Sequence, residues 1–273
     1  MMSGQNMQYL KLSRKELKER FKAGRMPTEE DFMSLIDSLV NSVDEGFDVD
    51  EEIGLQVKQK KDSGCLASFF VNLTEHRPQW LLKLRKNIER SESSLNVKTP
   101  NMGSDDTGLT IVSPNNADGA EPKVRVGVGN AAPRCELDVD GLIASKGRVG
   151  AENPQFEIIA DGEWHNVTDV LTGCNCFEIV AGVGGNEGDG RFALAHAIAV
   201  NVFNEHPTVE ITQSYSGGRG SKIDIRWRKG ENKYEYTLQM RVRHKFDKTG
   251  KIKVRYHITK LWYDTQMIGS IVK

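Results

Sequence analysis

Cysteine is scarce: the 273 residues contain four, at positions 65, 135, 174 and 176. Their number and irregular spacing exclude a disulfide framework. Cys174-Asn-Cys176 is too tight for ordinary CxxC metal spacing, so the thiols are expected to be reduced and mostly packed. No run of about 18 apolar residues occurs, which excludes a membrane-spanning helix on sequence grounds. Met1 to Lys11 has no apolar core of the secretory kind, so the chain is expected to be made in the cytosol and to leave the cell within a particle or by lysis. Proline is sparse, with 8 residues, but glycine numbers 26. That balance suits turn-rich β structure better than disorder.

Chemistry-bearing motifs are also lacking. There is no GxSxG elbow and no HExxH. The six histidines show neither HxH nor HxxxH spacing. The loop Gly182–Gly190 has no Lys-Ser/Thr to hold a phosphate and magnesium. No catalytic residue, cofactor site or metal site is assigned, and enzymatic activity is not expected. A tail-borne glycan depolymerase would need paired carboxylates in a cleft, which the sequence does not reveal.

What is present is an uneven charge. The net formal charge is -1, yet Glu29 to Glu52 holds ten acids and no Lys or Arg, while Arg219 to Lys260 holds fourteen Lys/Arg against four acids. An acidic start and a basic end suit head-to-tail docking of subunits or a polyanion at the basic end. Solvated faces are the alternative.

The start is helical. Ser13 and Glu16 have capping-box spacing and predict a helix from about Arg14 to Lys22. Thr28 opens a second helix whose first turn carries Glu29, Glu30 and Asp31. Its apolar residues Phe32, Leu35, Ile36, Leu39, Val40 and Val43 form one stripe at steps of three and four. A short helix with one such stripe needs a partner. No second long helix follows, so this stripe is the expected oligomer interface, with packing in cis as the alternative.

Residues 51–150 read as short strands between turns: Gly54–Lys58, Leu66–Leu73, Gln79–Leu84, Gly108–Val112, Lys123–Val128 and Glu136–Val139. Few large apolar residues accompany them. A thick core within one chain is not expected, and a core shared between chains is.

Residues 151–273 read as an antiparallel β-sandwich. Ile223, Ile225 and Trp227 alternate with Arg226 and Arg228. Tyr236, Leu238, Met240 and Val242 alternate with Arg241 and Arg243. Val254 and Tyr256 alternate with Lys253 and Arg255. These are half-buried strands with a wet, basic face. Arg226, Arg228, Arg241, Arg243, Lys253 and Arg255 are therefore the candidate surface-binding residues, and an anionic glycan is the candidate ligand. The aromatics fall mainly opposite the basic residues, which argues against a nucleic-acid platform. Arg191–Asn201 mimics an Ala-rich helix after a Gly-rich loop, but Phe192, Leu194, His196, Ile198 and Val200 alternate with alanines. That period of two predicts a strand buried on both faces, with a helix as the alternative, and His196 as a core histidine.

Two passages carry a resemblance. Val126–Gly150 (VGVGNAAPRCELDVDGLIASKGRVG) resembles a segment of phage tail-fibre and adhesin-like proteins, in Gly127, Gly129, Pro133 and Leu137 to Gly141. "GRFALAHAIA", "KIDIRW" and "YHITKLW" resemble C-terminal domains of Bacteroidetes tail-fibre-like proteins, and Arg20–Asn41 resembles their helical start. The resemblance implies a homotrimeric, non-enzymatic subunit of a phage tail or phage-derived contractile injection system. It would serve as a fibre or at the baseplate periphery among other particle subunits, with a cell-surface glycan as a further partner. The near absence of a repeated shaft favours a compact peripheral subunit. The expected organisation is a helical segment over 1–50, a β-rich middle over 51–150 and a sandwich over 151–273.

Overall fold

The structure, a computed structural model, describes residues 11–39, 45–59, 64–72, 74–89, 91–101, 103, 107–114 and 123–270. The chain is mainly β and forms two compact units, 1–144 and 145–273. Residues 145–150, grouped with the middle by sequence, fall in the second unit, where Ala151 bridges to Ile258.

Both helices of the first unit begin as their caps require. Ser13 Oγ accepts from the Glu16 N–H at 3.3 Å, and the Glu16 carboxylate accepts from the Ser13 N–H at 2.8 Å, opening α1 (Arg14–Arg20). Thr28 and Asp31 repeat the exchange for α2 (Glu29–Ser38). Each pair satisfies two N–H groups that have no partner within the helix. Leu39 is already extended, so α2 ends inside the predicted stripe, and Val40 and Val43 lie outside the described residues.

A two-stranded hairpin follows, β1 (Phe47–Asp50) with β2 (Gly54–Val57). Six strands then form one sheet in chain order: β3 (Cys65–Phe69), β4 (Trp80–Asn87), β5 (Glu92–Lys98), β6 (Leu109–Pro114), β7 (Arg125–Val128) and β8 (Leu137–Val139). Pairing is antiparallel up to β7, but β7 and β8 run parallel. β5 was not foreseen, because its sequence ESSLNVK is Ser- and Asn-rich. Its strand state comes from its place between β4 and β6. The buried positions of this sheet are mostly polar, among them Asn96, Lys98 and Thr110, whose hydroxyl donates to Asn96 Oδ1 at 2.9 Å. Among the described residues of the first unit, Val112 and Pro133 are the buried apolar side chains.

The second unit is a two-layer sandwich. One sheet has the order β13-β12-β11-β16-β9, built from β9 (Ile158–Ile159), β11 (Cys174–Gly184), β12 (Phe192–Val202), β13 (Glu205–Tyr215) and β16 (Lys253–Lys260). The other has the order β10-β15-β14, from β10 (His165–Asn166), β14 (Ile223–Lys229) and β15 (Tyr236–Val242). Ile179, Ala181 and Ala193 to Ala199 at every second position meet Ile223, Leu238, Met240 and Val242 in one core. The Gln213 side chain links the layers by accepting from the Ile223 N–H at 3.1 Å and donating to its carbonyl at 3.0 Å. The fully buried Tyr236 hydroxyl donates to the Gly173 carbonyl and accepts from Asn175 Nδ2, each at 2.7 Å.

The Gly-rich passage forms the end of β11 and the β11–β12 hairpin connection, and the segment after it is the predicted strand. Burial on both faces is corrected. The alanines of β12 face the core, whereas Phe192, Leu194, Val200 and Val202 face outward at 37% to 61% exposure. Small side chains here let the two sheets approach closely. An alternating pattern shows which residues share a face, but not which face is covered.

Candidate functional surfaces

Four of the six predicted basic residues come together. Arg226 and Arg228 project from the outer face of β14, and Arg241 and Arg243 lie on or beside β15 in the same sheet. Cross-strand register sets Asp224 opposite Arg241 and Arg226 opposite Gln239. Asp224 accepts from Arg243 Nε at 3.0 and 3.1 Å and lies 3.5 Å from Arg241 Nη2. Gln239 Oε1 accepts from Arg226 Nε and Nη2 at 3.1 and 3.0 Å, while its amide donates to Asn166 at 2.9 Å. The guanidiniums of Arg226 and Arg241 lie 4.0 and 4.4 Å from the centre of the Trp164 ring. Cation–π attraction and charge-assisted hydrogen bonds thus fix their geometry. Asp224 pairs with two of the four guanidiniums, those of Arg241 and Arg243, while Arg226 is held by the neutral Gln239, so this face keeps an excess of positive charge.

Lys253 and Arg255 do not join them. Both lie on β16 in the other sheet, where Lys253 is paired with Glu157 at 2.6 Å and Arg255 stands opposite Gly182. The expected single six-residue surface is therefore two separate ones. Alternation within a strand could not reveal which sheet the strand joins. Sequence reasoning also missed Trp164, Asp224 and Gln239 as the residues that organise the basic face. Their only signal was an aromatic and two polar residues on the wet side of the pattern.

The helical stripe is largely open. Phe32, Ile36 and Leu39 are 51%, 61% and 61% exposed, and Leu35 is half-buried. α1 packs instead near the polar side of α2, through Arg20 and Asp31 at 2.8 Å. The Leu12 N–H donates to the Ser38 hydroxyl at 2.8 Å, and Ser34 is the buried residue of α2. The Phe21 and Phe32 rings meet edge to face at 5.4 Å, covering one end of the stripe.

The LDVDG passage forms a compact parallel connection. Only residues 129–136 separate β7 from β8, where parallel pairing ordinarily needs a dozen or more. The buried Asp138 carboxylate gathers this loop. It accepts from Arg134 Nε at 2.8 Å, the Arg134 backbone N–H at 2.9 Å and Asn130 Nδ2 at 3.0 Å. The Arg134 bonds, side chain first and then backbone, hold its pKa down at about 2. At Gly127 a Cβ would fall 2.0 Å from the Asn130 carbonyl oxygen, so no side chain fits there. Pro133 is fully buried, and its carbonyl accepts from Arg125 Nη1 at 2.9 Å.

His196 is corrected from a core histidine to an exposed one. It stands on the outer face of β12, with Nε2 2.9 Å from Glu178 Oε1. Of the aromatics on and beside the basic strands, Tyr236 and Tyr256 are buried and Trp227 is half-buried, but Tyr234, Trp262 and Tyr263 are exposed. Among the described residues no three His, Cys, Asp or Glu side chains converge as a metal site, and no helix is long and apolar enough to cross a membrane. The chain matches no known family model, and no curated protein is significantly similar to it.

Proposed function

We propose that this chain is a non-enzymatic structural subunit of a phage tail or phage-like contractile injection system, placed at the baseplate periphery, in a cage or in a short fibre, and that it works as a homotrimer. The observation that carries this reading is how little apolar side-chain surface the described residues of the first unit bury. Val112 and Pro133 are its buried apolar side chains among the described residues, while Phe69, Trp80, Leu84, Ile111 and Leu137 are exposed. Apolar surface on that scale favours burial against other chains. The exposed α2 stripe supports the same reading, as does the resemblance of the LDVDG passage to tail-fibre segments.

The test is the solution mass of the full chain beside a version lacking residues 1–50. A mass divisible by three that depends on the helical segment supports the proposal. A full chain whose mass is not a multiple of three overturns it.

A second reading, an adhesin for an anionic glycan, rests on the basic face around Trp164. Glycan binding that weakens with salt and is lost in Arg226→Ala/Arg228→Ala supports it. No binding to an array of sulfated and carboxylated glycans removes it.

A further inference from the structure

The six-stranded sheet of the first unit is covered on its polar side and open on its apolar side. Cross-strand register aligns its side chains in rows. One row runs Ala67, Leu82, Val97, Leu109, Val128 and Val139 over all six strands. The next row on the same face runs Leu84, Leu95, Ile111, Val126 and Leu137 over five of them. Phe69 and Trp80 pair at one corner of this face. Of these side chains Phe69, Trp80, Leu84, Ile111, Val128 and Leu137 are exposed and the rest are half-buried. Polarity begins at the margin, where Lys86, Ser93 and Ser113 make the following row.

The opposite face carries Asn96, Lys98, Thr110, Val112 and Asp138, and these are buried. A sheet with one wet face ordinarily does the reverse, laying its apolar side on the core and its polar side in water. The first unit has two other apolar surfaces, the α2 stripe and the hairpin face of Phe47, Val49, Leu55 and Val57. Neither has the extent to cover the sheet. Six strands span roughly 24 Å at ~4.8 Å between neighbours. The ten residues of α2 make a helix about 15 Å long, and the hairpin is two strands wide.

We infer that copies of the chain cover one another's sheet face and close a core shared between them. This rests on the homotrimer proposed above and assigns that assembly its contact. Two observations favour copies as the cover. First, neither apolar row contains a charge, so one half of the face meets the other half without setting like charges together. In a closed ring, β3–β5 of one copy can therefore lie against β6–β8 of the next. Second, the cover must be apolar and as wide as the sheet, and the element that matches in both is this same sheet in another copy. The outer face of the second unit's five-stranded sheet is interrupted by Glu178 and His196. An unbroken apolar face resembles a domain core cut in half, which is the character of a permanent contact between subunits.

The experiment separates the contact from the stoichiometry. A photo-crosslinking p-benzoylphenylalanine replaces Trp80, and in a second version Ile111, in the purified full chain. Equal amounts of unlabelled and nitrogen-15 chain are mixed under conditions that exchange subunits, then illuminated. Mixed-isotope crosslinks that join the probe to residues 65–139 of another copy are the expected result. Ile111→Asp should in addition bring the mass of the assembly down to the 30.5 kDa of one chain. An oligomer whose crosslinks all fall within one chain, or on α2 or the second unit of another copy, overturns the inference and leaves the trimer standing. Crosslinks across the face in an assembly whose mass is not a multiple of three support the contact and overturn the trimer. A monomeric parent chain overturns both.

Discussion

Asp138 binds Arg134 twice, accepting from its backbone N–H and from its guanidinium, across a turn of four residues. The pair closes the loop that lets β7 and β8 run parallel with so short a connection. The folded carboxyl, at about 2, titrates below its ordinary value of 3.8. Its stabilising contribution is therefore complete above about pH 4 and is lost as the pH falls toward 2. Acid titration of the first unit should show loosening in that window. Asp138→Asn should lower the melting temperature at neutral pH and flatten the acid dependence. An unaltered acid profile in Asp138→Asn would show that the loop does not depend on this charge.

Tyr256 gives the opposite sign in the second unit. Burial raises its pKa to about 12, and its hydroxyl donates to the Phe156 carbonyl at 3.1 Å. The folded state keeps the proton where the unfolded chain, near 10, releases it. The stability it contributes is complete below pH 10 and is lost as the pH rises through 12. Tyr256→Phe should weaken the alkaline loss of stability, as followed by denaturant unfolding at pH 9 and 11.

The two faces of β12 should respond oppositely to a change in size. Ala197 is fully buried between the sheets, so Ala197→Leu should destabilise the second unit by about 1–3 kcal/mol through overpacking. Leu194 is 61% exposed, so Leu194→Ala in the dissociated chain should change stability by no more than about 0.5 kcal/mol. Denaturant midpoints with an unchanged m-value would measure both. Equal costs would mean that the face assignment is wrong.

A charge on the α2 stripe tests the helical contact. Leu39→Asp should reduce the oligomer's mass while leaving helix content unchanged, because Leu39 is exposed and lies at the C-cap. Leu35→Asp should do the same with some loss of stability, since Leu35 is half-buried. An unchanged mass in both would place the oligomer contacts elsewhere.

The sequence by itself determined the elements whose signals are local. Ser13 with Glu16, and Thr28 with the acids of the turn after it, placed the two helix starts, because caps and helix-end charges act within one turn. The period of two placed β12, β14, β15 and β16 and gave the antiparallel sandwich, because alternation records a strand with two unlike faces. The LDVDG passage carried only a resemblance at the level of sequence; that it closes a tight parallel connection is seen in the structure. Tertiary structure alone decided what depends on neighbours distant in the chain. Strand β5 forms because two strands flank it, despite its polar composition. Arg226 and Arg241 come together over Trp164, while Arg255, with the same local pattern, is carried to the other sheet. The alanines of β12 turn inward and its large residues outward. Periodicity fixes the relation between the two faces of a strand, but which face meets the core depends on the packing of the opposing sheet.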